Sequence, residues 1–400
     1  MSTLVNPKLN ALYWKGKYRM LPIYKVLFCG MTLLSIQLDF LLHLPRVCPD
    51  NMKKTKSLLL LAIANLIYLT LQAKAPVFLS DQPDVKPHRI IRTCCSFGTE
   101  MKLFAIPGLK LTETTSIDKI GPHHYLGNAS EENGIIYSRR GGFIDMAHLR
   151  DQSDWTAYLY TQLLANKQKG TLTMVLGREG GEKSLIVSIP SKIENEDLIH
   201  LAGKIAYDLS VWHEIATWFG ASSIPFVPER YSSFSIEDPY SNLLGVTIGI
   251  QALQSDLPYE EAVTSIIEET LKSLDAVTNE AETYLAMEAV RDIWWTRQRK
   301  LPNSKVLLQR QLQVYSCLQP WLVPGWIGTN QVPFELKVPE YTSDGQNLNQ
   351  FYQLEFKLNY KFPFHKMFPE RKDRNISQND FDRLLAQVAK ELTKKDSQFR

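Results

Sequence analysis

An α+β fold is what this 400-residue sequence predicts: a mainly α-helical single domain with an inserted β-hairpin and irregular strand and loop flanks. Three observations carry the prediction. Apolar residues recur at helical spacing over most of 145–298, two β-branched runs flank the turn-forming "GREGGE" at 177–182, and proline- and aromatic-rich stretches lie on either side. Helices with one short hairpin, and no alternation of strand and helix, fit α+β better than a parallel α/β sheet.

The elements follow in order. Residues 76–143 hold five prolines between short apolar runs and read as loops with short strands. A helix is predicted from about Asp145 to Lys167, because Ile144, Ala147, Leu149, Trp155, Tyr158, Leu159 and Leu163 fall mostly on one face before Gly170. "TLTMVLGREGGEKSLIVSIP" then reads as a hairpin. A long helix is predicted from about Asn195 to Phe219, closed by Gly220. After a loop with two prolines, "SIEDPYSNLLG" opens another helix, with Ser235 as N-cap, Glu237 and Asp238 in its first turn and Pro239 early. Further helices are predicted at about 240–254, 258–275 and 281–298. Strand and loop texture follows over 301–366, and an amphipathic helix ends the chain.

Composition narrows the function classes. The chain is 44% hydrophobic and 22% charged, enough to bury a large core. Its 45 basic and 42 acidic residues leave a net charge of +3, without the clustered excess that phosphate backbones require, so nucleic acid is not an expected partner. "MKKTKSLLLLAIANLIYLTLQAKA", Met52 to Ala75, has the lysine-rich start, apolar run and small-residue end of a secretory signal. Its core is short of the roughly 20 apolar residues of a bilayer span. The expectation is therefore an extension ahead of the natural start at 1–51, a signal peptide or membrane anchor at 52–75, and an exported globular domain at 76–400. The competing reading takes Val26 to Leu44 as a first membrane span, in which Asp39 would be costly. In an oxidising compartment, Cys317 would bridge to Cys94 or Cys95, because neighbouring cysteines rarely bond each other.

Candidate chemistry sits on two helices. "WHEIATWFG" at 212–220 carries His213-Glu214-x-x-Thr217, a zinc-peptidase helix motif with threonine in place of the second histidine. Thr217 replaces an imidazole poorly, so the complete motif is absent and an ordinary zinc peptidase is not the expected assignment. A flanking pair of tryptophans nevertheless places His213 and Glu214 out of open water, where a carboxylate needs a partner or a metal. Asp145, His148 and Gln152 share a stripe of the preceding helix, just after the paired glycines 141 and 142. "SIEDP" supplies Glu237 and Asp238 at a helix start. The expected site has His148, His213 and Glu237 as zinc ligands and Glu214 as general base. The bland reading of each is local: a capping or packing His148, and a favourable helix-dipole interaction for the two acids. The paired His123 and His124 are a weaker metal candidate, no G-x-S-x-G elbow is present, and the hairpin glycines lack the following helix of a phosphate cradle.

The phrases "RTCCSFG", "HHYLGN", "NGIIYSRRGGFIDMAHLRDQSDW", "WHEIATWFG" and "SSFSIEDPYSNLLG" together resemble an uncharacterised bacterial family of exported proteins, domain of unknown function 4056. The resemblance covers most of the chain after about residue 89. It implies an envelope or periplasmic location and a natural start at Met52, and it brings no activity and no catalytic residues. Two functions are expected from the residues. One is a metal-dependent hydrolase acting on an envelope substrate of peptide or lipid type, touching the membrane only through its N-terminal segment. The other is a non-catalytic envelope protein whose histidines and glutamates form a buried network with Arg139, Arg140 or Arg150.

Overall fold

The computed structural model describes residues 92, 97–98, 114–222, 229–299, 306–326 and 332–397. The proposed signal, the alternative membrane span and Cys94 and Cys95 lie outside them. Among the described residues, seven helices and several small antiparallel sheets make the fold α+β, as expected. Among the described residues no helix is long and apolar enough to cross a membrane.

A short hairpin, β1 (Ile135–Ser138) and β2 (Gly142–Asp145), leads directly into helix α1 (Met146–Asn166). Asp145 ends the strand and caps the helix: its carboxylate accepts from the amides of Ala147 at 2.8 Å and His148 at 3.2 Å. That capping fixes the first turn and everything projecting from it. The predicted hairpin follows as β3 (Thr171–Arg178) and β4 (Gly181–Ser188). Helix α2 (Asn195–Trp218) is buried around nearly its whole circumference, which an amphipathic surface helix would not be.

Helix α3 (Asp238–Gln254) crosses α1 at very close range. A Cβ on Gly245 would lie 2.0 Å from the Leu149 carbonyl oxygen, so only glycine admits this approach. Ser153 spans the crossing by donating to the Gly245 carbonyl at 2.9 Å. The crossing brings the first turns of α1 and α3 side by side. Ser235, expected as N-cap of α3, is displaced from that role: Glu237 occupies the cap position, and the Ser235 hydroxyl donates to the Glu237 carboxylate at 2.6 Å.

Helix α4 (Tyr259–Ser273) is tied down by the Tyr259 hydroxyl on the Ser153 carbonyl at 2.7 Å, and α5 (Glu280–Ala289) follows. The expected helix to 298 stops at Ala289. Asp292 takes a left-handed conformation (φ 62°), and Trp294 and Trp295 turn into the core, the Trp295 indole donating to the Met287 carbonyl. Helical propensity at 290–298 yields to the burial of two indoles.

The carboxy-terminal third contains β5 (Cys317–Leu318), β6 (Leu336–Lys337), β7 (Tyr352–Leu358), the short α6 (Phe364–Met367), β8 (Asn375–Ser377) and α7 (Phe381–Ser397). Strands β3, β4, β7 and β8 form one antiparallel sheet in that order. The sheet packs on α2 through Trp212, stacked on Phe356 with ring centroids 4.1 Å apart. Cys317 has a thiol 3.2 Å from a Glu335 carboxylate oxygen, and its expected partners, Cys94 and Cys95, lie outside the described residues.

Candidate metal centre

Three side chains meet where α1 and α3 begin. Asp145, His148 and Asp238 each offer a ligand atom, all within 4.8 Å of one another, and the three can hold a metal ion. Asp145 and Asp238 are buried, and His148 is nearly so. The Asp145 amide donates to the Ser241 hydroxyl at 2.9 Å, and Ser241 donates in turn to the Glu237 carbonyl at 2.7 Å. The two helix starts are thereby fixed to each other.

His148 is oriented by a neighbour. Its Nδ1 lies 3.1 Å from the Asn242 side-chain oxygen, and in the tautomer that donates to this oxygen Nε2 keeps its lone pair. Nε2 is 3.5 Å from Asp238 Oδ1, an oxygen that accepts no hydrogen bond. A lone pair facing an unbonded buried carboxylate oxygen is unfavourable unless a cation or a proton stands between them. Two carboxylates and one imidazole are a donor set that a divalent ion can take.

The surrounding charge points the same way. Asp145, Glu214, Glu237 and Asp238 are four carboxyl groups, each no more than 2% exposed, close enough to influence one another. Burial pushes Glu237 up to about 8 despite the Ser235 hydrogen bond, with Asp145 and Glu214 adding to the effect. Burial and then Glu237, Glu214 and Asp145 hold Asp238 well above the usual carboxylate range. Arg310 is the cation opposite them. Its own value falls to about 10 through burial, against the pull of Glu214 and Asp238, and its guanidinium donates to the carbonyls of Ser233 and, at 3.1 Å, Tyr231.

His213 and Glu214 diverge. His213 Nδ1 lies 2.6 Å from Glu179 Oε1, while its ring centroid sits 6.4 Å from that of His148. Burial would lower its pKa, but the Glu179 charge and hydrogen bond outweigh burial and raise it to about 9. Glu214 accepts from the Phe234 amide at 2.5 Å and so holds the loop that leads to α3. Thr217, in the place of a second histidine, donates to the His213 carbonyl at 2.8 Å and accepts from Ser233 at 2.9 Å.

Among the expected site residues, the structure thus places His148 in the cluster of three, Glu237 and Glu214 beside it, and His213 at its edge. Glu237 Oε1 accepts no hydrogen bond, and the residue lies with Gly141, Phe143, Ile236, Tyr240, Pro320 and Trp321 around a depression that has no room for a water molecule. The sequence reading made neither Asp145 nor Asp238 a ligand, though it offered Asp238 beside Glu237 as the carboxylate, and it gave no role to Asn242, Glu179 or Arg310. The first two were within its reach, since Asp145 shares a stripe with His148 and Asp238 adjoins Glu237. Nothing in the sequence marks the other three.

The arginines expected around the histidines are engaged elsewhere. Arg150 donates to the carbonyls of Gly121 and Pro122, and Arg139 pairs with Asp275 and Glu282. Arg140 reaches the carbonyls of Ser273 and Val332. His123 is buried in a separate ion network, 2.9 Å from Asp154, which also pairs with Arg92 at 2.8 Å.

Residues 82–324 match the model of a family described as a protein of unknown function (DUF4056), and the chain belongs to that family. No curated protein and no solved structure matches it.

Proposed function

We propose that this chain is an exported, metal-dependent hydrolase of the bacterial envelope, with zinc held by Asp145, His148 and Asp238. The observation that carries the reading is the convergence of three buried ligand atoms within 4.8 Å of one another, with Asp238 Oδ1 accepting no hydrogen bond. A bound zinc would supply a water acidic enough to attack near neutral pH. Glu237, whose Oε1 accepts no hydrogen bond, adjoins that centre. Export rests on the Met52–Ala75 sequence, and an envelope substrate of peptide or lipid type follows from that location.

A second reading is favoured by the position of Glu214. It is buried, bonded to a backbone amide and opposite Arg310, as a member of a closed structural network would be. That reading makes the protein a non-catalytic envelope component. Metal content of the full chain, purified without added metal and without a polyhistidine tag, separates the two. One zinc per chain, lost in Asp238→Ala and in His148→Ala, supports the hydrolase. A metal-free wild type that also takes up no added zinc refutes it and leaves the structural reading.

A further inference from the structure

Beside the cluster of three lies a second built arrangement. The turn of the β3–β4 hairpin carries Glu179 onto helix α2, where the carboxylate meets His213 Nδ1 at 2.6 Å with one oxygen and Lys183 Nζ at 2.7 Å with the other. The Trp212 indole donates to the Glu179 carbonyl at 3.2 Å. Gly181 is needed for this approach, since a Cβ there would stand 2.2 Å from the Lys357 carbonyl oxygen. The hairpin is therefore pressed between α2 and β7, and its buried carboxylate holds one imidazole in one orientation.

The consequence for His213 is geometric. With Nδ1 committed to Glu179, Nε2 is the nitrogen left for other work, on the opposite side of the ring. The His213 side chain is 27% exposed, whereas those of His148 and Asp238 are 10% and 2% exposed. Of these three side chains, His213 is the one open to solvent. Its ring centre is 6.4 Å from that of His148, which puts it next to the centre, and among the described residues it stands outside the set whose ligand atoms converge.

We propose that His213, oriented by Glu179, is the group of this centre that touches the substrate and exchanges a proton with it, and that it is not a ligand of the ion. This rests on the hydrolase reading above. In the reaction, the leaving group departs with the electron pair of the broken bond and takes the proton that Nε2 carries in the imidazolium. The oxygen of a water molecule bonds to the electrophilic atom, and its proton restores the one on Nε2. The imidazole ends as it began, and Glu179 stays ionised throughout as the positioning residue.

The test uses the full-length chain loaded with zinc, comparing wild type, His213→Gln and Glu179→Gln. Zinc per chain is measured by mass spectrometry and the affinity for acetohydroxamate by calorimetry. A hydroxamate binds zinc as its anion, which a neighbouring imidazolium stabilises by donating a hydrogen bond. Both variants should keep the zinc of the wild type and bind acetohydroxamate roughly tenfold more weakly, the low end for loss of an oriented group at a metal site. In the wild type, acetohydroxamate should shift the His213 imidazole NMR signals. Loss of zinc from His213→Gln would make His213 a ligand and overturn the proposal. Retained zinc with unchanged acetohydroxamate affinity would reduce the Glu179 contact to a structural clasp and overturn it as well. A wild type that takes up no zinc ends both this inference and the hydrolase reading, an outcome distinct from the other two. Should Glu179→Gln not fold, His213→Gln decides alone.

Discussion

Replacing Glu237 with glutamine should stabilise the metal-free protein, and the structure supplies the size of the effect. The carboxyl is moved from 4.5 to about 8 by burial among other acids. Its folded-state value is raised, so the stability it permits is fully present below pH 4.5 and is lost as pH rises through 8. At pH 7 the unfolded chain has the group ionised while the folded chain keeps it protonated. At about 1.36 kcal/mol per pH unit, a gap of about 2.5 units costs roughly 3 kcal/mol. Glutamine keeps the shape and can still accept from Ser235, and it removes the ionisation. Glu237→Gln should therefore melt higher at pH 7 in the presence of a chelator, by roughly 6 °C at about 2 °C per kcal/mol for a chain of this size. The advantage should shrink towards pH 5 and grow towards pH 8. Thermal unfolding followed by circular dichroism from pH 5 to 9 gives the comparison. A variant that melts at or below the wild type, with the same slope against pH, would refute the picture of a strained acidic cluster.

Other perturbations follow from the same geometry. Zinc added to the wild type should raise its melting temperature, because binding places positive charge among four carboxyl groups, and His148→Ala should abolish the rise. Arg92→Ala should lower stability by about 3–5 kcal/mol in chemical denaturation, since it takes the guanidinium from the buried Asp154 and leaves Glu131 only its longer contact to Arg150. Gly245→Ala should cost at least about 2 kcal/mol by the same assay, because α1 and α3 must separate to admit the methyl group. It should also weaken zinc binding, as that crossing sets the distance between His148 and Asp238.

How much of this was written in the sequence can be judged element by element. Helices α1 and α2 and the β3–β4 hairpin begin and end within a residue or two of where spacing, caps and glycines put them, because those signals act over a few neighbours. The stretch at 290–298 went the other way, since two tryptophans gain more from the core than from continuing a helix. Of the site, the sequence by itself determined the polar vocabulary: a histidine one turn into α1, an acidic pair at the start of α3, and a histidine and glutamate inside a buried helix. Only the tertiary structure decided how these combine. The glycine crossing of α1 and α3 turns Asp238 and the capping residue Asp145 towards His148, and the hairpin delivers Glu179 to His213 across 34 positions of sequence. The physical reason is range. Capping and periodicity are local, whereas a ligand set depends on which backbones can approach within a few ångströms, and that is settled by packing.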